Sequence, residues 1–171
     1  MEDTLINSST TNLIRSSATT ASTLKVIAFK VNTLHLAVQI DAVHKILRHT
    51  SIYSSGLHPV GVAHVDDREV TVLDIQRRLF HTTSINALGE SNYLIVIRNT
   101  LNELYGIPVE TVPTLVDIPL SSLRVLPASY RQADTLSIAS HVAIIPQDEH
   151  TLTLFLLSLD EIVTSDLNLS E

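Results

Sequence analysis

From Leu24 onward, apolar and polar residues alternate with the two-residue period of a strand. LKVIAFKV (24–31) and LHLAVQI (34–40) are rich in β-branched residues and flank Asn32-Thr33, which predicts a hairpin. Further short apolar runs follow at turn-separated intervals: YLIVIR (93–98), YGIPVETV (105–112), HVAIIP (141–146) and TLTLFLL (151–157). QDEH at 147–150 joins the last two as a hairpin. Between Gly61 and Phe80 the chain reads GVAHVDDREVTVLDIQRRLF. Its apolar arms, Val62 to Val65 and Val70 to Ile75, flank Asp66, Asp67, Arg68 and Glu69. That cluster is either a chemical site or the exposed tip of a hairpin.

Helical signals are few and short. Asp74 is placed to cap IQRRLF, in which Ile75 and Leu79 share a face. Ser158 and Glu161 have the spacing of a capping box before a C-terminal helix carrying Ile162 and Val163. In DAVHKIL (41–47), Val43, Ile46 and Leu47 share a helical face, and a strand continuation competes with that reading. Many short strands with few helices predict a mainly β barrel or sandwich. Residues 1–23 differ from the rest. Eleven of them are Ser or Thr and their apolar residues are scattered, the composition of a disordered tail, which leaves 24–171 as a single folded domain.

Composition narrows the function. The 171 residues are 44% hydrophobic and 17% charged, enough for a globular core, and only 4% aromatic, so that core is built of Val, Ile and Leu. A net charge of −7 without any Lys/Arg-rich run argues against a nucleic-acid binder. No cysteine is present, which excludes disulfides and thiol chemistry and suits a reducing compartment. MEDTLINSSTTNLIRSS lacks the basic and apolar regions of a secretory signal, and no apolar run approaches membrane-spanning length. A cytoplasmic address is the expectation.

Candidate chemistry is sparse. The eight histidines include no His-x-His pair and no His-Glu-x-x-His, and His64 beside Asp66 and Asp67 is the best local cluster. Gly56 and Gly61 have the spacing of a phosphate loop, but Val62-Ala63 stand where Lys-Ser/Thr is required. Asp66 and Asp67 are adjacent, so on a strand they point to opposite faces and cannot share a proton. Arg77-Arg78 reads as a solvated basic face. No enzyme, cofactor or metal site is expected.

In their order, these segments resemble the CheW-like family, the adaptor domain of bacterial chemotaxis-type signalling. AFKVNTLHLAVQIDAVHKIL looks like the family's opening hairpin, ending in Ile40-Asp41-Ala42-Val43-His44-Lys45-Ile46. HPVGVAHVDDREVTVLDIQRRL is similar to its most recognisable block through Pro59, Gly61, Val62, Val70, Val72, Asp74 and Leu79. Gly106, Val109, Glu110 and Val112 supply a Gly-x-x-Val-acid-x-Val pattern, and HVAIIPQDEHTLTLFLLSLDEIV looks like the closing hairpin and helix. The resemblance covers about residues 24–165.

The resemblance implies two small, intertwined β-barrel lobes of SH3-like type, with short helices and a C-terminal helix. It implies a non-catalytic adaptor that binds the regulatory domain of a CheA-type histidine kinase, the cytoplasmic tip of a chemoreceptor and other CheW-like domains, without cofactor, nucleic acid or membrane insertion. Val38, Ile40, Val43 and Ile46 would supply exposed apolar interface surface. Lys45, Asp66, Asp67 and Arg68 would supply a rim that selects partners. The family usually has Arg-Gly where this chain has Asp66-Asp67, Glu at Lys45, Pro at Thr71 and Gly at His141. Acid and base have exchanged places at positions 45 and 66, so Lys45 and Asp66 are expected to face each other as a reversed ion pair. These departures suggest a specialised pathway such as phototaxis or surface motility. A small-ligand sensor and an oligomeric scaffold of the same fold are the competing readings.

Overall fold

The structure, a computed structural model, describes residues 21–55, 57, 60–81, 90–132 and 136–167. Most of the expected tail, residues 1–20, lies outside them, as does Pro59. The strands are β1 (Thr23–Val31), β2 (Leu34–Gln39), β3 (Val43–Ser51), β4 (Val60–Val65), β5 (Arg68–Leu73), β6 (Glu90–Arg98), β7 (Leu104–Val109), β8 (Thr114–Pro119), β9 (Leu123–Val125), β10 (Ala139–Pro146) and β11 (Thr151–Leu157). The helices are α1 (Ile75–Phe80), α2 (Ala128–Gln132) and α3 (Leu159–Leu167). A six-stranded sheet in the order β8-β1-β2-β11-β10-β9 forms the first lobe, and a five-stranded sheet in the order β3-β6-β7-β5-β4 forms the second. Each curls into a half-barrel. The fold is the mainly β, two-lobed barrel architecture expected, with its short helices and C-terminal helix.

Three apolar layers hold the lobes together. Val26, Ala28, Ala37, Ile118, Ala143, Leu154 and Leu156 fill the first lobe. Ala63, Val65, Val70, Val72, Leu94 and Val96 fill the second. The largest layer lies between them, where Leu36 and Val38 meet Leu73, Ile95, Ile97 and Ile107, joined by Ile75 and Leu79 of α1 and Ile162 of α3. Strands β2 and β6 therefore bury both faces, one into their own barrel and one into the shared layer. Each such Val, Leu or Ile contributes about 1.5–3 kcal/mol on burial, and Phe29 is buried in the same layer.

Local chemistry sets the elements. Val31 pairs with Leu34 across a turn in which Asn32 holds φ 53, a torsion Asn tolerates. Segment 40–47 is not a helix: Ile40–Ala42 make one 3₁₀ turn and Val43 begins a strand. The β-branched Val43 and the pairing offered by β6 outweigh the helical spacing. Asp74 caps α1 as expected, its side chain accepting from Arg77 N at 2.9 Å. The expected capping box on α3 takes another form. Ser158 N donates to Ile138 O at 2.8 Å, while Glu161 faces Arg131 with 3.4 Å between Oε1 and Nη1. Arg77-Arg78 is also not a purely solvated pair. Arg78 reaches from α1 to the carbonyls of Glu161 and Ile162, tying α1 to α3, and Arg77 donates to Leu57 O at 3.1 Å. No helix among the described residues is long and apolar enough to cross a membrane.

Candidate functional site

Val65 and Arg68 pair directly, leaving Asp66 and Asp67 as a two-residue turn with φ 48 and φ 60. Positive φ at both central positions is the type I′ geometry whose twist matches that of the flanking strands. The turn thrusts Asp66, Asp67, Arg68 and Glu69 into solvent, all four exposed. The charged cluster is the tip of a hairpin.

Strand β3 brings Lys45 to this tip. Val43 pairs with Ile97 and Lys45 with Val96, so His44 is an extra residue, a β-bulge. Without it, Val43 and Lys45 would share a face. With it, Val43 and Ile46 lie with Ile97 and Ile95 on the face toward the first lobe, and Lys45 turns to the other face with Val96. From there Lys45 Nζ hydrogen-bonds and ion-pairs with Asp66 Oδ2, the lysine side chain 29% exposed and the aspartate 63%. The reversed pair expected from the sequence is formed. The hydrogen bond from Lys45, assisted by the charges of Lys45, His44 and Arg68, holds the Asp66 carboxyl below the usual carboxylate value against slight desolvation. Beside it, Arg98 Nη2 donates to His44 Nδ1 at 3.0 Å.

The apolar half of the expected surface requires correction. Val38 is 0% exposed, because it shares the apolar face of β2 with Leu36 and the second lobe covers that face. Ile40 and Val43 are half-buried against the same shared layer. Ile46, at 37%, is the one member of the apolar set that is exposed. The structure thus gathers Lys45, Asp66, Asp67 and Arg68 at the tip, leaves Ile46 on the neighbouring strand, and removes Val38. Tyr53, 65% exposed, and Val62, 38% exposed, also present apolar surface on this lobe, a feature the sequence reading missed. Their mutual backbone bridge joins residues across a segment without strand periodicity, so alternation carries no signal for it.

The structure is thus a double half-barrel with an apolar layer between its lobes and a charged hairpin held out to solvent. A model of the CheW-like domain matches residues 25–166, and the chain belongs to the CheW-like family. Members of that family are non-catalytic adaptors of chemotaxis-type signalling, and that general role comes with membership. No curated protein matches the chain in sequence. Among solved structures it is similar to the scaffolding protein TtCheW from Thermoanaerobacter tengcongensis, with 18% identity, a TM-score of 0.63, and coverage of 81% of this chain and 86% of that one. At that identity the likeness speaks for the fold.

Proposed function

We propose that this protein is a cytoplasmic adaptor that couples the regulatory domain of a CheA-type histidine kinase to the cytoplasmic tip of a chemoreceptor-type sensor, without cofactor or chemistry of its own. The solved relative is named as a scaffolding protein, which fits a role in holding partners together. The contact surface is the β4–β5 tip with the start of β3: Lys45, Ile46, Asp66, Asp67 and Arg68, with Val43 at its inner edge. The reversed Lys45–Asp66 pair carries this reading. It places an acid where the family presents a base, on an exposed turn where charge pattern governs partner choice more than stability. A pathway with its own kinase and receptor, as in phototaxis or surface motility, is where such a reversal serves to prevent cross-talk.

Pull-down from the native lysate, with partners identified by mass spectrometry, tests the proposal. The bait is used as wild type, as Asp66→Arg, and as the Lys45→Glu/Asp66→Arg double variant that restores the pair with the family's polarity. A histidine kinase enriched by the wild type and depleted by both variants supports the assignment. A kinase recovered equally by all three preserves the adaptor role and moves its surface elsewhere. Absence of any kinase or receptor from the wild-type eluate defeats the proposal.

A further inference from the structure

The second-lobe sheet ends in two edge strands, β3 and β4, that face each other across a seam. At one end backbone closes it: Tyr53 N donates to Val62 O at 2.9 Å and Val62 N to Tyr53 O at 2.8 Å. At the other end Lys45 and Asp66 span it. Between these closures the strands part around a cleft of about 480 Å³. Leu47 lines its floor, and Arg48, His49, Thr50, Ser51, Tyr53 and His64 line the rest.

Two properties of the cleft point to an occupant. First, no backbone bond other than the Tyr53–Val62 pair crosses the seam among the described residues, so alternate residues of the β3 edge between Leu47 and Ser51, which bends at His49 (φ 48), present backbone N–H and C=O groups to a further strand. Second, the lining holds one guanidinium, two imidazoles and three hydroxyls in a chain of net charge −7, with the Glu69 carboxylate 3.9 Å from His64 Nε2 at its margin. The guanidinium is pre-positioned. Arg48 lies 5.5 Å from the centre of the Tyr93 ring and donates to its hydroxyl at 3.3 Å, so little side-chain freedom remains to be lost on binding. The His64 ring stands edge-on to Tyr53 at 6.3 Å, on the opposite wall.

We propose that this seam receives an extended acidic segment of a partner protein, which adds as a strand to β3 and sets its carboxylates against Arg48 and His49. The site lies along the flank of the barrel, adjoining the hairpin tip that closes one end of it, and does not depend on the kinase–receptor reading. Backbone pairing supplies affinity for any extended segment, and the Arg48 guanidinium selects an acidic one.

The test is an amide chemical-shift titration of the full chain with a capped heptapeptide of alternating Val and Glu. Its Val/Lys counterpart and an N-methylated Val/Glu peptide serve as controls. The expected result is saturable shifts at residues 47–51 and 64, with affinity about tenfold above that of the Val/Lys peptide. N-methylation weakens binding by about the same factor, because it removes the edge bonds. Arg48→Glu does likewise with an unchanged melting temperature; should that variant melt early, exposed His49→Glu carries the charge test. Equal affinity for all three peptides, shifts confined to other strands, or no saturation by about 1 mM peptide would each overturn the proposal.

Discussion

Asp67 holds φ 60 at the second central position of the β4–β5 turn, a torsion that glycine adopts without cost. For a residue bearing a Cβ, the left-handed region costs roughly 1–2 kcal/mol, with Asp at the low end because its short side chain bonds locally. Glycine gives part of this back through the greater freedom of its unfolded chain, about 0.5–1 kcal/mol. Asp67→Gly should therefore stabilise the protein by about 0.5 kcal/mol, and by about 1 kcal/mol at most. In urea, with a denaturant slope of about 2 kcal/mol per molar, the midpoint should rise by about 0.2–0.5 M. Asp67→Ala separates torsion from charge: it removes the same carboxylate but keeps the Cβ, and should lower the midpoint. Asp66→Gly relieves the same torsion but forfeits the Lys45 contact, so it should gain less than Asp67→Gly. If the alanine and glycine variants at 67 unfold at the same midpoint, charge rather than torsion governs this turn, and the argument fails.

Three further outcomes follow from packing and titration. Val38→Ala removes two methyl groups from the sealed layer between the lobes and should cost about 2 kcal/mol in chemical denaturation, acting on stability and not on partner choice. Gly106→Ala would place a Cβ 2.9 Å from Leu94 Cδ1 and 3.3 Å from Val72 Cγ2, so it should cost about 1–3 kcal/mol, partly recovered in the Gly106→Ala/Leu94→Val double variant. The two shifted aspartates act in opposite directions with pH. The Lys45 hydrogen bond depresses Asp66, so that pair's contribution is present above the ordinary carboxylate value and is lost as pH falls through the folded one; Asp66→Asn should flatten the acid limb of stability against pH. Burial raises Asp74 despite the opposing Arg77 N–H and charge, so its ionisation opposes folding as pH climbs from the ordinary value through the raised one. Asp74→Asn, which keeps the cap acceptor, should gain on the wild type over that interval, as urea midpoints at a series of pH values will show.

The strands with long alternating runs were legible because each carries a local signal: β1 and β2 about Asn32, the β4–β5 arms, and β10 with β11. Strands β8 and β9 were not. TLVDIP ends in proline and pairs with the remote β1, and LRV spans three residues, too short for periodicity to register. The error at Val38 has a different origin. Val38 falls in phase with Leu36 on the apolar face of β2, and the family resemblance assigned that face to a partner where the chain's own second lobe covers it; nothing local distinguishes a partner from a second lobe. At the hairpin, exchanged charges at 45 and 66 sufficed to pair the residues. The bulge at His44 that turns Lys45 toward its partner left no mark in composition.

The order of strands also bears on how the chain is made. All strands of the second lobe lie between Val43 and Val109, so that barrel can form as soon as this segment leaves the ribosome. The first lobe cannot. Its β1–β2 hairpin is synthesised first, yet the edge at Leu36 and Ala37 waits for Phe155 and Leu156, which lie in the second-last described element. At typical elongation rates that interval is on the order of ten seconds. Throughout it an apolar strand edge stands unpaired, a window for chaperone capture or for pairing with the same hairpin of a neighbouring nascent chain. The native contact between β2 and β11 thus makes the lobe that begins first the one that closes last.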